Sequence, residues 1–102
     1  MTRWELLQGD VLVGELSENG CDQPFFLAHF TPGPGWESVG PLFEALAAYS
    51  GPDPDGLRYV ALAKPLRDLR LTLAPVDGRQ TPLQLFKDCM VSIHGPEARL
   101  RY

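Results

Sequence analysis

The sequence has few of the residues from which metal sites and disulfide frameworks are built. It contains two cysteines, Cys21 and Cys89, and two histidines, His29 and His94, in 102 residues. The spacing within the two Cys–His pairs matches no common zinc motif, and no Cys-x-x-Cys pair is present. We therefore assign no metal ligand and no cofactor, and expect two free thiols, with a Cys21–Cys89 disulfide as the alternative.

Long hydrophobic runs are also missing. No apolar stretch approaches the roughly 18 to 20 residues that a membrane-spanning helix needs. The first residues lack the apolar segment of a signal peptide. We expect a cytoplasmic protein with no membrane partner.

Recognisable catalytic motifs are absent as well. None of the four serines lies in a Gly-x-Ser-x-Gly elbow. Cys89 and His94 fall on opposite parities of one expected strand, so their side chains point to different faces. Gly33-Pro34-Gly35 lacks the lysine of a phosphate loop, and Pro34 removes a backbone donor. We assign no catalytic residue, although paired carboxylates in the acid-rich first half leave acid–base chemistry open.

Basic side chains are scarce in the first half of the chain. Residues 1–55 contain nine acidic side chains and one basic one, whereas residues 56–102 contain eight basic and four acidic ones, for a net charge of −4. We expect the halves to neutralise each other on folding, or else a basic face of Arg70, Arg99 and Arg101 to meet an acidic partner. Nucleic acid is not expected as a partner, because a nucleic-acid-binding domain is usually basic overall.

The residues that are present predict a globular domain. A length of 102 residues with 44% apolar and 22% charged side chains is typical of one domain, residues 1–102. Alternating leucines predict a strand at 69–73, and longer alternating runs predict strands at 83–93 and 98–102. Asp77-Gly78 and residues 94–97 would supply the turns of this three-stranded meander.

The first two thirds predict three more strands and two helices. Strands are expected at 4–6, at 11–16 and at 25–30, with a turn at 17–20 and a loop at 31–36. Apolar spacings of three and four predict a helix capped by Ser38 and ending near Tyr49. Residues 54–63 fit a helix better than a strand. The prediction is an α+β fold, with a mostly antiparallel sheet of about five to six strands and one or two helices packed on one face.

The expected strand at 25–30 carries apolar side chains on both faces. Phe26, Ala28 and Phe30 share one parity, and Phe25, Leu27 and His29 share the other. In a chain too short for two helical layers, such a strand is partly exposed or covered by a partner. Trp36, on the Pro/Gly loop, either folds back over the core or anchors an interface. The candidate interface or ligand-binding residues are Phe25, Leu27, His29, Trp36, Arg99 and Arg101.

Four segments carry a family resemblance. Arg3-Trp4-Glu5-Leu6, Val13-Gly14-Glu15-Leu16, residues 30–43 ending in Pro41-Leu42-Phe43, and the tail 91–102 resemble a family of short, uncharacterised actinobacterial (Streptomyces-like) proteins. The tail departs from the family pattern at Pro96, where a charged residue is expected, and at Tyr102, where Trp is expected. The resemblance covers most of the chain and implies no activity.

These observations favour a non-enzymatic protein-binding accessory or regulatory module, with a protein partner or self-association as a homodimer. The alternative is a small enzyme or small-ligand-binding protein with a pocket between the sheet and the Pro/Gly loop 31–36, using His29 with Asp22 or Glu37. A third hypothesis is self-association through an uncovered terminal strand at 98–102.

Overall fold

A computed structural model describes residues 2–102. These residues form a single seven-stranded sheet, in which all paired neighbouring strands are antiparallel, and two helices. The elements are β1 (Arg3–Gln8), β2 (Val11–Asp22), β3 (Phe25–Pro32), α1 (Trp36–Ala47), α2 (Leu57–Asp68), β4 (Thr72–Pro75), β5 (Leu83–Gln84), β6 (Met90–His94) and β7 (Glu97–Arg101). The strand order is β5-β4-β1-β2-β3-β7-β6. The α+β prediction is confirmed, but the strand count exceeds the expected five to six.

The extra strand arises because the run at 83–93 is interrupted. Phe86 has a φ of +67°, a conformation that a strand residue does not adopt, and its N–H donates to the Cys89 carbonyl at 2.8 Å. The chain therefore turns between β5 and β6, which lie at opposite edges of the sheet. The predicted three-stranded meander is wrong, since the run 83–93 is divided between β5, which pairs with β4, and β6, which pairs with β7 at the other edge of the sheet.

Strand β2 is longer than the sequence pattern suggests. The expected turn at 17–20 is a β-bulge inside the strand, where the register with β3 shifts between Glu18 and Gly20. The reversal comes later, at Gln23-Pro24. After the bulge, Asp22 lies opposite Phe25.

Helices α1 and α2 lie on the same side of the molecule. Helix α1 begins at Trp36 with Gly35 as its N-cap, so the predicted Ser38 cap is wrong. It packs against β2 and β6 through Val39 and Phe43, and α2 packs against α1. Helix α2 confirms the helical interpretation of this region, although it extends to Asp68.

The core lies between α1 and one face of the sheet. Its fully buried large side chains include Trp4, Phe30 and Phe43. Both helices have 12 residues, and neither is long and apolar enough to cross a membrane.

Tyr102 covers Trp4 at an end of this core. Its hydroxyl donates to Glu18 Oε2 at 2.8 Å, the same oxygen that accepts the Trp4 Nε1–H at 2.8 Å. The Tyr102 ring also stacks on Phe26, with centroids 4.9 Å apart. Burial first, and then the hydrogen bond to Glu18, raise the pKa of Tyr102 to about 12. The last residue is thus tied to the first half of the chain.

The hypothesis of an uncovered terminal strand is wrong. Strand β7 pairs with β3 on one side and with β6 on the other, so its backbone is enclosed within the sheet. The strand at this edge is β6, whose Val91 and Ile93 are buried and which contacts α1.

Candidate functional site: the uncovered face of the sheet

The helices cover only one face of the sheet, and the opposite face is called the open face below. Successive side chains of a strand point to opposite faces of the sheet. On β3 and β7, every second residue belongs to the core on the helical side: Phe26, Ala28, Phe30, Ala98 and Leu100. The residues between them therefore lie on the open face. The open-face residues of these two strands are Phe25, Leu27, His29, Glu97, Arg99 and Arg101. Five of the six candidate residues are thus brought together, and only Trp36 lies elsewhere.

At the centre of the open face, Arg99 lies across the Phe25 ring. Its guanidinium carbon is 4.7 Å from the ring centroid, and its Nη2 donates to Asp22 Oδ2 at 2.9 Å. The pairing register makes this possible, since Asp22 lies opposite Phe25 and Arg99 lies opposite Leu27. A cation–π contact at an exposed site stabilises by about 0.5 to 1 kcal/mol, and a surface ion pair contributes a similarly small stabilisation. Together, the two contacts hold the Arg99 guanidinium and the Asp22 carboxylate in place on the open face.

Phe25 and Leu27 form an apolar strip along β3 on this face. Both side chains are only half-buried, although β3 is an internal strand of the sheet. Arg99 supplies part of the cover of Phe25. The rest of the strip faces outward, where no helix packs.

Charged side chains of both signs flank this strip. On the β2 side are Asp22, opposite Phe25, and Glu15, which lies farther along β3 opposite Thr31; on the β7 side are Glu97, Arg99 and Arg101. Glu15 is 3.7 Å from Arg3 of β1, at Oε1 and Nη2. Within residues 2–102, Arg101 has no carboxylate oxygen within 4.0 Å. The rim of the apolar strip therefore has mixed charge, with the Arg99–Asp22 pair crossing it and Glu97 lying beside the two arginines of β7.

A cavity of about 300 Å³ opens beside the bulge of β2. It is lined by Asn19 from the bulge, by Leu27 and by Glu97 and Arg99 from β7. Bulges often aim a side chain at a functional surface. The cavity therefore connects the bulge of β2 with the open-face residues of β3 and β7.

Trp36 lies on the helical side of the sheet. Its ring packs on Phe30, with centroids 4.6 Å apart, and on Phe43 at 5.8 Å. Gly40 makes room for it, because a Cβ there would lie 2.7 Å from Trp36 Cε2. Trp36 thus folds back over the core, the first of its two predicted roles.

Trp36 does line a second cavity, of about 390 Å³, beside the end of β3. The other lining residues include His29, Pro32 and the Gly95-Pro96 turn. This is the place predicted for a pocket between the sheet and the loop 31–36. Neither Asp22 nor Glu37, the carboxylates proposed for it, lines this cavity.

The acidic first half and the basic second half of the chain were expected to neutralise each other, but few direct ion pairs join them. Of the four ion pairs in the described chain, only Arg99–Asp22 joins the first half to the second. The basic face is also smaller than expected. Arg70 follows α2 with a φ of +53°, away from Arg99 and Arg101, because its segment is not a strand.

The two thiols are unpaired, so the disulfide alternative is wrong. Cys21 is exposed and Cys89 is buried. Burial first, and then the charge of Asp88, raise the pKa of Cys89 to about 11. A thiol with this pKa is protonated at neutral pH, which makes Cys89 a poor nucleophile.

His29, Glu97 and His94 form a row across three strands that the sequence analysis did not identify. Glu97 pairs with His29 on β3 and with His94 on β6. Over residues 2–102, no group of three His, Cys, Asp or Glu side chains is placed to hold a metal ion. The sequence could have predicted the position of Glu97, because alternation along β7 places it on the same face as Arg99 and Arg101. Asp22 was predicted as a polar partner of His29, whereas its position opposite Phe25 follows from the two-residue reversal at Gln23-Pro24.

Comparisons with protein-family models, with curated proteins and with solved structures found no significant match for this chain.

Proposed function

We propose that the protein is a non-enzymatic binding module that docks another polypeptide on its open face. The observation that carries this proposal is the half-buried apolar strip of Phe25 and Leu27, flanked by charged side chains on a sheet face with no helix over it. Protein interfaces commonly have this composition, with an aromatic or aliphatic centre, arginine and a polar rim.

The prior placement of Arg99 supports this role. Binding costs free energy when long side chains are immobilised, about 0.5 to 1.5 kcal/mol for each. Arg99 is already held by the Phe25 ring and by Asp22. Its guanidinium can therefore donate to a partner's carbonyl or carboxylate at a smaller entropic cost.

The test is a charged substitution in the strip with a matched control. Leu27→Glu places a carboxylate beside Arg99, its cross-strand neighbour, so the monomer keeps its fold. The control is Leu57→Glu, at a leucine that is 65% exposed at the start of α2, where a negative charge is favourable. Each tagged variant is expressed in the native host, and the proteins that co-purify are compared with those of the wild type.

We expect Leu27→Glu to bind the wild-type partner at least 30-fold more weakly, which corresponds to a hot-spot effect of about 2 kcal/mol. Leu57→Glu should retain it. Unchanged association of a folded Leu27→Glu protein would contradict the proposal. Circular dichroism and urea unfolding show whether each variant is folded.

A second candidate function rests on the 390 Å³ cavity beside Trp36 and His29. Its volume is within the range of small-molecule sites, and its lining combines an indole, an imidazole and two prolines. Titration of aromatic fragments, followed by Trp fluorescence and by the His29 ring NMR signals, tests this function. Saturable binding that His29→Ala abolishes would favour a small ligand, whereas unsaturated, variant-independent shifts would remove this candidate.

A further inference from the structure

A cavity of about 600 Å³ lies against α2, and none of its lining residues belongs to the open face. Its walls come from Val60, Lys64, Arg67 and Asp68 of α2 and from Arg70, which lies just beyond the end of the helix. Three of these side chains are basic, although the net charge of the chain is −4. The cavity is thus a local concentration of positive charge.

The backbone of α2 brings the basic side chains together. Lys64 and Arg67 are three residues apart, so they are neighbours on one side of the helix. The Arg70 N–H donates to the Arg67 carbonyl oxygen at 3.1 Å, so a single tight turn joins these two residues. All three side chains therefore reach the same cavity.

The charges that line the cavity do not balance. Lys64 Nζ is 2.8 Å from Asp68 Oδ2, and these two residues neutralise each other. Within residues 2–102, neither Arg67 nor Arg70 has a carboxylate oxygen within 4.0 Å. Two guanidinium groups, each permanently charged, are therefore left to water or to a ligand.

Arg70 occupies a backbone position that favours glycine. Its φ is +53°, in the left-handed region, directly after the C-cap residue Leu69. Helices commonly end in this conformation, and glycine is the usual residue there because a Cβ is strained. Arginine therefore lowers stability at this position. A local strain of this kind is a reason to look for a functional role.

The helix dipole explains only part of this arrangement. A basic side chain in the last turn of a helix is favourable, because the carbonyl groups there carry partial negative charge. Arg67 already supplies that charge in the last turn of α2. The dipole therefore does not require a second, strained arginine at position 70.

We propose that this cavity binds the phosphate group of a small, soluble phosphate monoester. At neutral pH such a group carries nearly two negative charges, which matches the two unpaired guanidinium groups. Arginine suits this ligand because its planar fork donates parallel hydrogen bonds to phosphate oxygens. The exposed Val60 side chain, which lines the same cavity, offers an apolar contact for the rest of the molecule. The volume is within the range of small-molecule sites.

The experiment is a titration of the isotope-labelled full chain with phenyl phosphate at low ionic strength, followed by NMR at the backbone amides of residues 64–70. We expect saturable shifts that are confined to this segment. Benzoate has the same ring and a single negative charge. It should bind about 10-fold or more weakly, as expected when hydrogen bonds between charged groups are lost.

Arg70→Gly tests the site without harming the fold, because it removes the backbone strain together with the guanidinium group. It should weaken the binding of phenyl phosphate about 10-fold or more, while its stability in urea is no lower than that of the wild type. The matched control is Arg79→Gly, which removes the same charge at an exposed residue that does not line the cavity. This control should bind phenyl phosphate as the wild type does.

Four results would overturn the assignment. They are the absence of saturable shifts at residues 64–70, unchanged binding by Arg70→Gly, equal weakening by Arg79→Gly, and equal affinity for benzoate and phenyl phosphate. Co-sedimentation of the wild type with phosphatidylcholine vesicles that contain phosphatidic acid, lost in Arg70→Gly, would overturn the soluble ligand in favour of a lipid headgroup. The Leu27→Glu variant of the open face should bind phenyl phosphate normally, so this inference and the proposed function fail independently.

Discussion

Ionisation of Cys89 should destabilise the fold at alkaline pH. Its pKa is raised from 9.0 to about 11 in the folded protein, because the thiol is buried. Between these two pH values the unfolded chain has lost the proton and the folded chain keeps it. The free energy of unfolding therefore falls by about 1.4 kcal/mol per pH unit, or about 3 kcal/mol in all. The contribution is fully present below pH 9.

The assay is urea unfolding under reducing conditions at intervals from pH 8 to 11, for the wild type and Cys89→Ala. The variant loses some packing at every pH, so its absolute stability is lower. Its stability should fall less steeply with pH than that of the wild type, by the amount given above. Tyr102 is present in both proteins, and its contribution cancels in the comparison.

Parallel pH profiles for the two proteins would refute this reasoning. A second readout is the reaction of the native protein with a disulfide reagent at pH 8. One thiol, the exposed Cys21, should react rapidly, and Cys89 should react only as the protein unfolds. Rapid reaction of both thiols would mean that Cys89 is accessible, which would reopen a nucleophilic role.

Three further substitutions test the packing described above, each by urea unfolding against the wild type. Gly14→Ala should cost about 1 to 3 kcal/mol, because its Cβ would overlap the Phe30 ring. Gly20→Ala in the same strand should be nearly neutral, because its Cβ would lie 3.6 Å from the nearest side-chain atom, on Leu27. Tyr102→Phe should cost about 1 kcal/mol through the lost bond to Glu18, and wild-type stability should fall above pH 10, where only the unfolded tyrosine ionises. Arg70→Gly should stabilise by about 0.5 to 1 kcal/mol, because a φ of +53° strains any residue with a Cβ. An unstable Gly20→Ala, an unaffected Tyr102→Phe or a destabilised Arg70→Gly would each contradict the local account.

Local patterns predicted the elements better than their arrangement. The alternation of Trp4 and Leu6 and the three-and-four spacing of Val39 and Phe43 identified β1 and α1, because each reports which side of an element is buried. Strand order is a non-local property, and nothing in the tail indicates that β7 is inserted beside β3.

The predicted ends of the strands were wrong where the backbone adopts an unusual conformation. Phe86 has a positive φ without being glycine, so the run at 83–93 gave no sign of the turn within it. The Ser17–Gly20 sequence has the composition of a turn, yet pairing with β3 continues through it as a bulge. In both places tertiary pairing outweighs local preference.

The candidate site was predictable in its residues and not in its geometry. The alternation of side chains predicted that Phe25, Leu27 and His29 share one face of their strand. It likewise predicted that Arg99 and Arg101 share one face of the last strand. That Arg99 crosses Phe25 to reach Asp22 follows only from the β2–β3–β7 register. Trp36 was ambiguous, because a loop tryptophan can pack inward or outward, and the space left by Gly40 decides between the two.

The most direct test of the open face as the binding surface is carbene footprinting of wild-type protein, once dilute and purified and once in extract of the native host. The account predicts that Phe25 and Leu27 lose labelling in the extract, whereas Leu57 and Val76, which are 65% and 46% exposed elsewhere on the molecule, keep it. Equal labelling of Leu27 in both samples, or protection of Leu57 instead, would contradict the central claim.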